Sequence, residues 1–170
     1  MNRLPVLGIV AAGSNAGKTT LITQLIPALA KRNIRVSVIK HAHHKFDIDY
    51  PGKDSYKIRE AGAVQTLIAS NKRWSLMTEL AGEPNLEALI AQMNQSYADL
   101  ILVEGFRQAN IPKIEVCRSS LGMPILAKSD SNIIAVATDA NLDIQQPLLP
   151  LNDIEQIIEF IILNLRLQQH

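Results

Sequence analysis

Residues 4–20 read LPVLGIVAAGSNAGKTT. The run 4–12 is almost entirely apolar, as a strand buried on both faces of a sheet must be. The small-residue stretch after it cannot pack a core, and a helix follows: Ile22, Leu25, Ile26 and Leu29 fall at i, i+3, i+4 and i+7 and form one buried stripe. Residues 34–39 (IRVSVI) read as a second strand. Strand, loop, helix and strand in this order make a βαβ unit and therefore a parallel sheet. The expected fold is a three-layer α/β domain with a mostly parallel central sheet and a small antiparallel excursion. The whole chain, 1–170, reads as a single domain.

The loop carries the chemistry. Ala12 to Thr19 read A-G-S-N-A-G-K-T, which matches G-x-x-x-x-G-K-[ST] at every position but the first, where alanine stands next to Gly13. Small residues at Gly13, Ser14, Asn15, Ala16 and Gly17 let backbone N–H groups converge on phosphate oxygens. The helix that begins near Lys18 aims the positive end of its dipole at the same anion. Lys18 is placed to reach the β- and γ-phosphates, Thr19 to coordinate Mg²⁺, and Thr20 to contact the α-phosphate. A nucleoside triphosphate with magnesium is the ligand these residue types suit, so the expected fold is like that of the P-loop NTPases and 1–170 reads as a single P-loop nucleotide-binding domain.

Such a loop needs an acid at the end of a neighbouring strand. Residues 99–104 (DLILVE) offer two, and ligands gather at the carboxyl ends of parallel strands, so Glu104 is expected in the magnesium shell and Asp99 at the opposite edge. After the second strand comes K-H-A-H-H, containing Lys40, His41, His43 and His44, with Asp47 and Asp49 close behind. This loop emerges on the phosphate side. Contact with nucleotide or an acceptor substrate, metal ligation and a plain solvated loop compete for it, and no C-x-x-C or H-E-x-x-H spacing supports the metal. Lys40 is a candidate second phosphate-contacting cation; Asp47 or Asp49 can hold a magnesium-bound water, and the loop can order with the γ-phosphate.

Composition bounds the rest. Seventeen basic against 16 acidic side chains give a charge of +1, which supplies no electrostatic reason for binding nucleic acid or a membrane surface. Aromatics are only 4%, so aliphatic residues must build the core. The lone Cys117 allows no internal disulfide and reads as a small buried hydrophobe. The N-terminal apolar run is short and leads straight into the phosphate loop, unlike a signal peptide, and no stretch approaches the ~18 apolar residues of a membrane span. A cytoplasmic setting is expected.

Further along, a short helix is expected over 54–61 with Gly62 ending it, then strands over 63–69 and 74–78. Pro84 is read as a first-turn proline of a helix with Leu86, Leu89, Ile90 and Met93 inward. Residues 111–118 alternate in part and read as a more exposed strand, a possible interface. Residues 133–138 (IIAVAT) form another core strand, and a final helix capped near Asn152 or Asp153 buries Ile154, Ile157, Ile158, Ile161 and Leu165.

Taken together, AAGSNAGKTT, IKHAHH, DIDYPGKDSY (47–56), AGAVQT (61–66), RWSLMTE (73–79) and LILVEGF resemble the MobB family, the adapter proteins of molybdopterin-guanine dinucleotide biosynthesis. The resemblance runs from about residue 4 to 138 and into the final helix. It implies a cytoplasmic GTP-binding protein with Mg²⁺ and weak GTPase activity, usually a homodimer. The implied partner is the guanylyltransferase MobA, which joins GMP to molybdopterin; the adapter assists that step or delivers GTP or the cofactor. Carried over by position, Gly13 to Thr20 contact phosphates, Thr19 and Glu104 hold the metal, and His41 to Asp49 face the nucleotide or the partner's substrate. The common N-K-x-D base-reading motif is absent. Asp139 follows the last core strand, where a base-reading loop is expected, and can accept from guanine N1 and N2 or simply form a turn. A small-molecule kinase and a metal-insertion GTPase chaperone using the three histidines are the competing classes.

Overall fold

The computed structural model describes residues 4–42 and 46–168, so His43 and His44 lie outside the described residues. The chain forms two compact units, one of residues 1–41 and 86–170, the other Ala42–Asn85.

The larger unit is built on six strands: β1 (Val6–Val10), β2 (Val36–Lys40), β3 (Leu100–Glu104), β4 (Lys113–Cys117), β5 (Ile133–Thr138) and β6 (Leu148–Pro150). Their order is β2-β3-β1-β4-β5-β6 and every pairing is parallel. β1 and β3 sit inside the sheet, so both faces of each must be apolar: Leu7 and Ile9 face one layer while Val6 and Val10 face the other. On the first face lie helix αA (Lys18–Ala30), through Leu21, Ile22, Leu25 and Leu29, and helix αB (Ile154–Leu165), through Ile157, Ile158, Ile161 and Ile162. The Asp153 side chain caps αB by accepting from the Gln156 N–H. The opposite face is covered by a helix over Leu86–Gln92 and by the segment around Leu126 and Ala127. The three-layer α/β architecture is therefore present. The helix expected to open at Pro84 begins at Leu86, a shift within ordinary end fraying.

The expectation of an exposed strand over 111–118 is corrected. β4 is buried at all five positions and lies between β1 and β5, so it is neither an edge nor an interface. Lys113 and Glu115 disguised it, since charges rarely enter a core unpaired. Here each is fully partnered. The Lys113 ammonium donates to the carbonyls of Arg107 and Ala109 at 3.0 and 2.9 Å and pairs with Asp130 at 2.6 Å. Glu115 accepts the N–H groups of Leu126 and Ala127 at 2.8 and 2.9 Å. Room for the lysine stem comes from Gly8, where a Cβ would lie 2.7 Å from Lys113 Cγ. Burial opposes ionisation of Asp130, but the Lys113 hydrogen bond and charge, with an Asn132 N–H, hold its carboxyl below the usual range.

The smaller unit holds a helix over Asp54–Glu60 and an antiparallel hairpin of Gln65–Ala69 with Trp74–Thr78, the excursion read from the sequence. A cluster of charge there centres on Arg59, which reaches Asp49 at 3.3 Å, Glu60 at 3.2 Å and Asp47 at 3.8 Å, and lies over the Tyr56 ring. No helix among the described residues is long and apolar enough to cross a membrane.

Candidate functional site

The site grows from the turn between β1 and αA. Gly17 caps αA at φ +100°, a left-handed conformation that a side chain resists, and Asn15 before it is at φ +61°. These values turn the chain sharply between β1 and αA, a backbone shape in which successive N–H groups can converge on an anion. Ser14, Asn15, Thr19 and Thr20 are exposed there, while Ala16 is buried beneath. Lys18 curls over the loop and donates to the Gly13 carbonyl at 3.1 Å.

Two strand ends complete the centre. β3 runs beside β1 with Ile9 opposite Glu104, and β2 runs beside β3 with Lys40 opposite Glu104. This register brings Glu104 under αA, where its Oε1 accepts the Thr19 hydroxyl at 2.8 Å. A threonine that gives its proton to a carboxylate keeps its oxygen lone pairs for a metal, and a hard oxygen-only donor pair suits Mg²⁺ rather than a soft ion. The residues present thus fit magnesium. Thr19 and Glu104 would hold it, and it would supply charge neutralisation between phosphate oxygens. Past Glu104 the chain turns sharply: Gly105 is at φ +93° and a Cβ there would lie 2.9 Å from His41 Cβ. His41 donates its N–H to the Glu104 carbonyl at 2.9 Å, and its ring stacks on Phe106 with centroids 4.5 Å apart.

Of the remaining residues singled out in the sequence, Asp99 lies at the opposite end of β3 from Glu104 and pairs with Arg35 at 2.8 Å. Asp139 follows β5, where its Oδ1 accepts the Ser119 N–H at 2.8 Å. That bond, with a smaller contribution from the Arg118 charge, holds its carboxyl below the usual range. A carboxylate has about four acceptor positions, so this contact does not exhaust it. Asp47 and Asp49 belong to the smaller unit and are held by Arg59, with Asp49 almost fully buried. Burial pushes the Cys117 thiol up, in keeping with a small hydrophobe rather than a nucleophile.

Sequence reasoning missed Arg118. It stands just past β4, and its Nε donates to the Ala16 carbonyl at 3.1 Å. The guanidinium covers Gly17, where a Cβ would come within 3.3 Å of it. Met123, from the same segment, lies against Gly13. Only the sheet order reveals this, because β4 is adjacent to β1 in space and distant from it in sequence.

The profile of the family described as MobB, Molybdopterin guanine dinucleotide synthesis protein B, matches residues 6–139. The chain belongs to the MobB family. The molybdopterin-guanine dinucleotide biosynthesis adapter protein of Escherichia coli (strain K12) is 48% identical over 162 residues, covering 94% of this chain and 92% of the relative. The adapter protein of the same description from Haemophilus influenzae (strain ATCC 51907 / DSM 11121 / KW20 / Rd) is 46% identical over 160 residues, covering 94% of this chain and 89% of that one. A crystal structure of molybdopterin-guanine biosynthesis protein B (mobB) superposes with a TM-score of 0.74 at 31% identity, covering 95% of this chain and 99% of that chain. The MobB match takes in the phosphate loop, Lys40, Glu104, Arg118 and Asp139 alike.

Proposed function

We propose that this MobB-family chain binds GTP with Mg²⁺ and acts as an adapter in the conversion of molybdopterin to its guanine dinucleotide, beside a MobA-type guanylyltransferase in the cytoplasm. The observation that carries the nucleotide half is the Thr19–Glu104 contact at 2.8 Å beside the Lys18-bearing turn at the N-terminus of αA. Gly13, Ser14, Asn15, Ala16, Gly17, Lys18, Thr19 and Thr20 take the phosphates, and Asp139 stands at the end of β5 to read the base. The adapter half rests on family membership and on the names of the two similar bacterial adapters. Comparative titration of the protein with GTP and ATP in Mg²⁺ tests the nucleotide half: tighter binding of GTP is expected, and binding of neither contradicts the site.

The reading includes a homodimer. Phe46, Val64, Leu67 and Trp74 of the smaller unit are 70%, 76%, 59% and 60% exposed, and a two-stranded hairpin is marginal alone. A second copy of this chain would cover these side chains. Light scattering is expected to give twice the 18.7 kDa chain mass, and Trp74→Glu with Leu67→Glu to return it to one chain. A native protein that already runs at one chain mass at micromolar concentration contradicts the dimer.

A further inference from the structure

Lys40 and Glu104 are direct partners in the parallel ladder between β2 and β3, so their side chains leave the sheet side by side at the phosphate end. The Lys40 ammonium lies 3.2 Å from Glu104 Oε1 and 3.3 Å from the Thr19 hydroxyl. That same Oε1 accepts from Thr19 at 2.8 Å, so ammonium, hydroxyl and carboxylate converge on one point. The phosphate-loop lysine is engaged elsewhere, with Lys18 on the Gly13 carbonyl. Among the described residues, the ammonium at Glu104 is that of the β2 lysine.

We propose that Lys40 is the resident counter-ion of the metal site and competes with magnesium for Glu104 and Thr19. The proposal rests on the Mg²⁺–nucleotide reading of those two residues. Magnesium demands near-ideal octahedral oxygen ligation at short range, and a protonated amine can donate but not ligate. Metal and ammonium cannot both hold the Thr19 oxygen and the Glu104 carboxylate closely, so metal entry expels Lys40. The exchange needs no strand movement. The backbone is pinned by the His41 N–H on the Glu104 carbonyl and by the His41–Phe106 stack, while the lysine side chain is 55% exposed on a flexible stem. Without metal, Lys40 cancels a carboxylate that would repel a triphosphate. The residue thereby sets how steeply nucleotide affinity depends on magnesium.

The test measures equilibrium affinity for fluorescent GTP in excess Mg²⁺ and in chelator, for wild type, Lys40→Met and Lys40→Arg, with thermal melts as a check on folding. For Lys40→Met the affinity in chelator is expected to fall at least about tenfold, because Glu104 is left uncompensated beside the phosphates. The magnesium concentration for half-maximal binding is expected to fall as well, since nothing remains to be expelled. The ratio of affinities with and without metal should therefore rise by at least about tenfold, with Lys40→Arg staying nearer to wild type. A parallel loss in both conditions would mean that Lys40 contacts phosphate irrespective of the metal, and no change in either would mean a passive surface lysine. Each of these overturns the competition. Wild type that binds no GTP in either condition overturns the nucleotide reading beneath it, and the same titration separates that failure from the others.

Discussion

Substitution of Lys18 by alanine is expected to lower GTP affinity by at least about a hundredfold, because an ammonium shared between two phosphates supplies charge-assisted hydrogen bonds worth about 1.5–3 kcal/mol each. The fold should survive. Lys18 donates to the Gly13 carbonyl, and that carbonyl sits in a half-exposed loop where water can replace the donor. Nucleotide titration and a thermal melt on the same sample check both halves. If the adapter works through bound GTP, the variant should also fail to stimulate a MobA-type guanylyltransferase. Affinity within about threefold of wild type would mean that the loop is not a phosphate site.

The second large effect is expected on stability. Lys113→Met keeps the aliphatic stem beside Gly8 but removes the donor for the carbonyls of Arg107 and Ala109 and the counter-charge of Asp130. Breaking a buried pair from one side costs about 3–5 kcal/mol, and Asp130, at 23% exposed, recovers some hydration and places this site near the lower figure. For a chain of this size about 3 kcal/mol lowers Tm by roughly 6–12 °C. The pH dependence distinguishes the ion pair from simple repacking. The folded-state pKa of Asp130 is depressed, so its contribution is present above the unfolded value of about 3.9 and is lost as pH falls through the folded one. The gap between wild type and Lys113→Met should therefore narrow as the pH is taken below about 4. A gap that is constant across pH would assign the loss to packing alone.

How much of this was legible depended on whether the chemistry at a position constrains the residue type locally. The turn from β1 into αA was legible because small residues, a lysine and a hydroxyl occur there in one short run, and the place of Glu104 beside Thr19 because an unbroken apolar strand ends on an acid. β4 misled because its charges satisfy each other through partners far along the chain. Lys113 finds Asp130 and Glu115 finds the N–H groups of residues 126 and 127, and no periodicity records such pairings. β6 was missed since it is three residues long and ends in Pro150, a composition suited to an edge and hard to tell from a loop. Arg118 acquires meaning only from the order of the sheet. The separate compaction of Ala42–Asn85 also left no compositional boundary, because its helix and hairpin carry ordinary amphipathic sequence.

The most direct measurement of the central claim is calorimetric titration of the wild-type protein with GTP and with ATP in excess Mg²⁺. The account expects one GTP site per chain, with ATP binding at least about tenfold more weakly if Asp139 accepts from the base, because guanine N1 and N2 donate to a carboxylate whereas adenine N1 is an acceptor that it repels. Equal or tighter binding of ATP would contradict the guanine assignment, and heat from neither nucleotide would contradict the site itself.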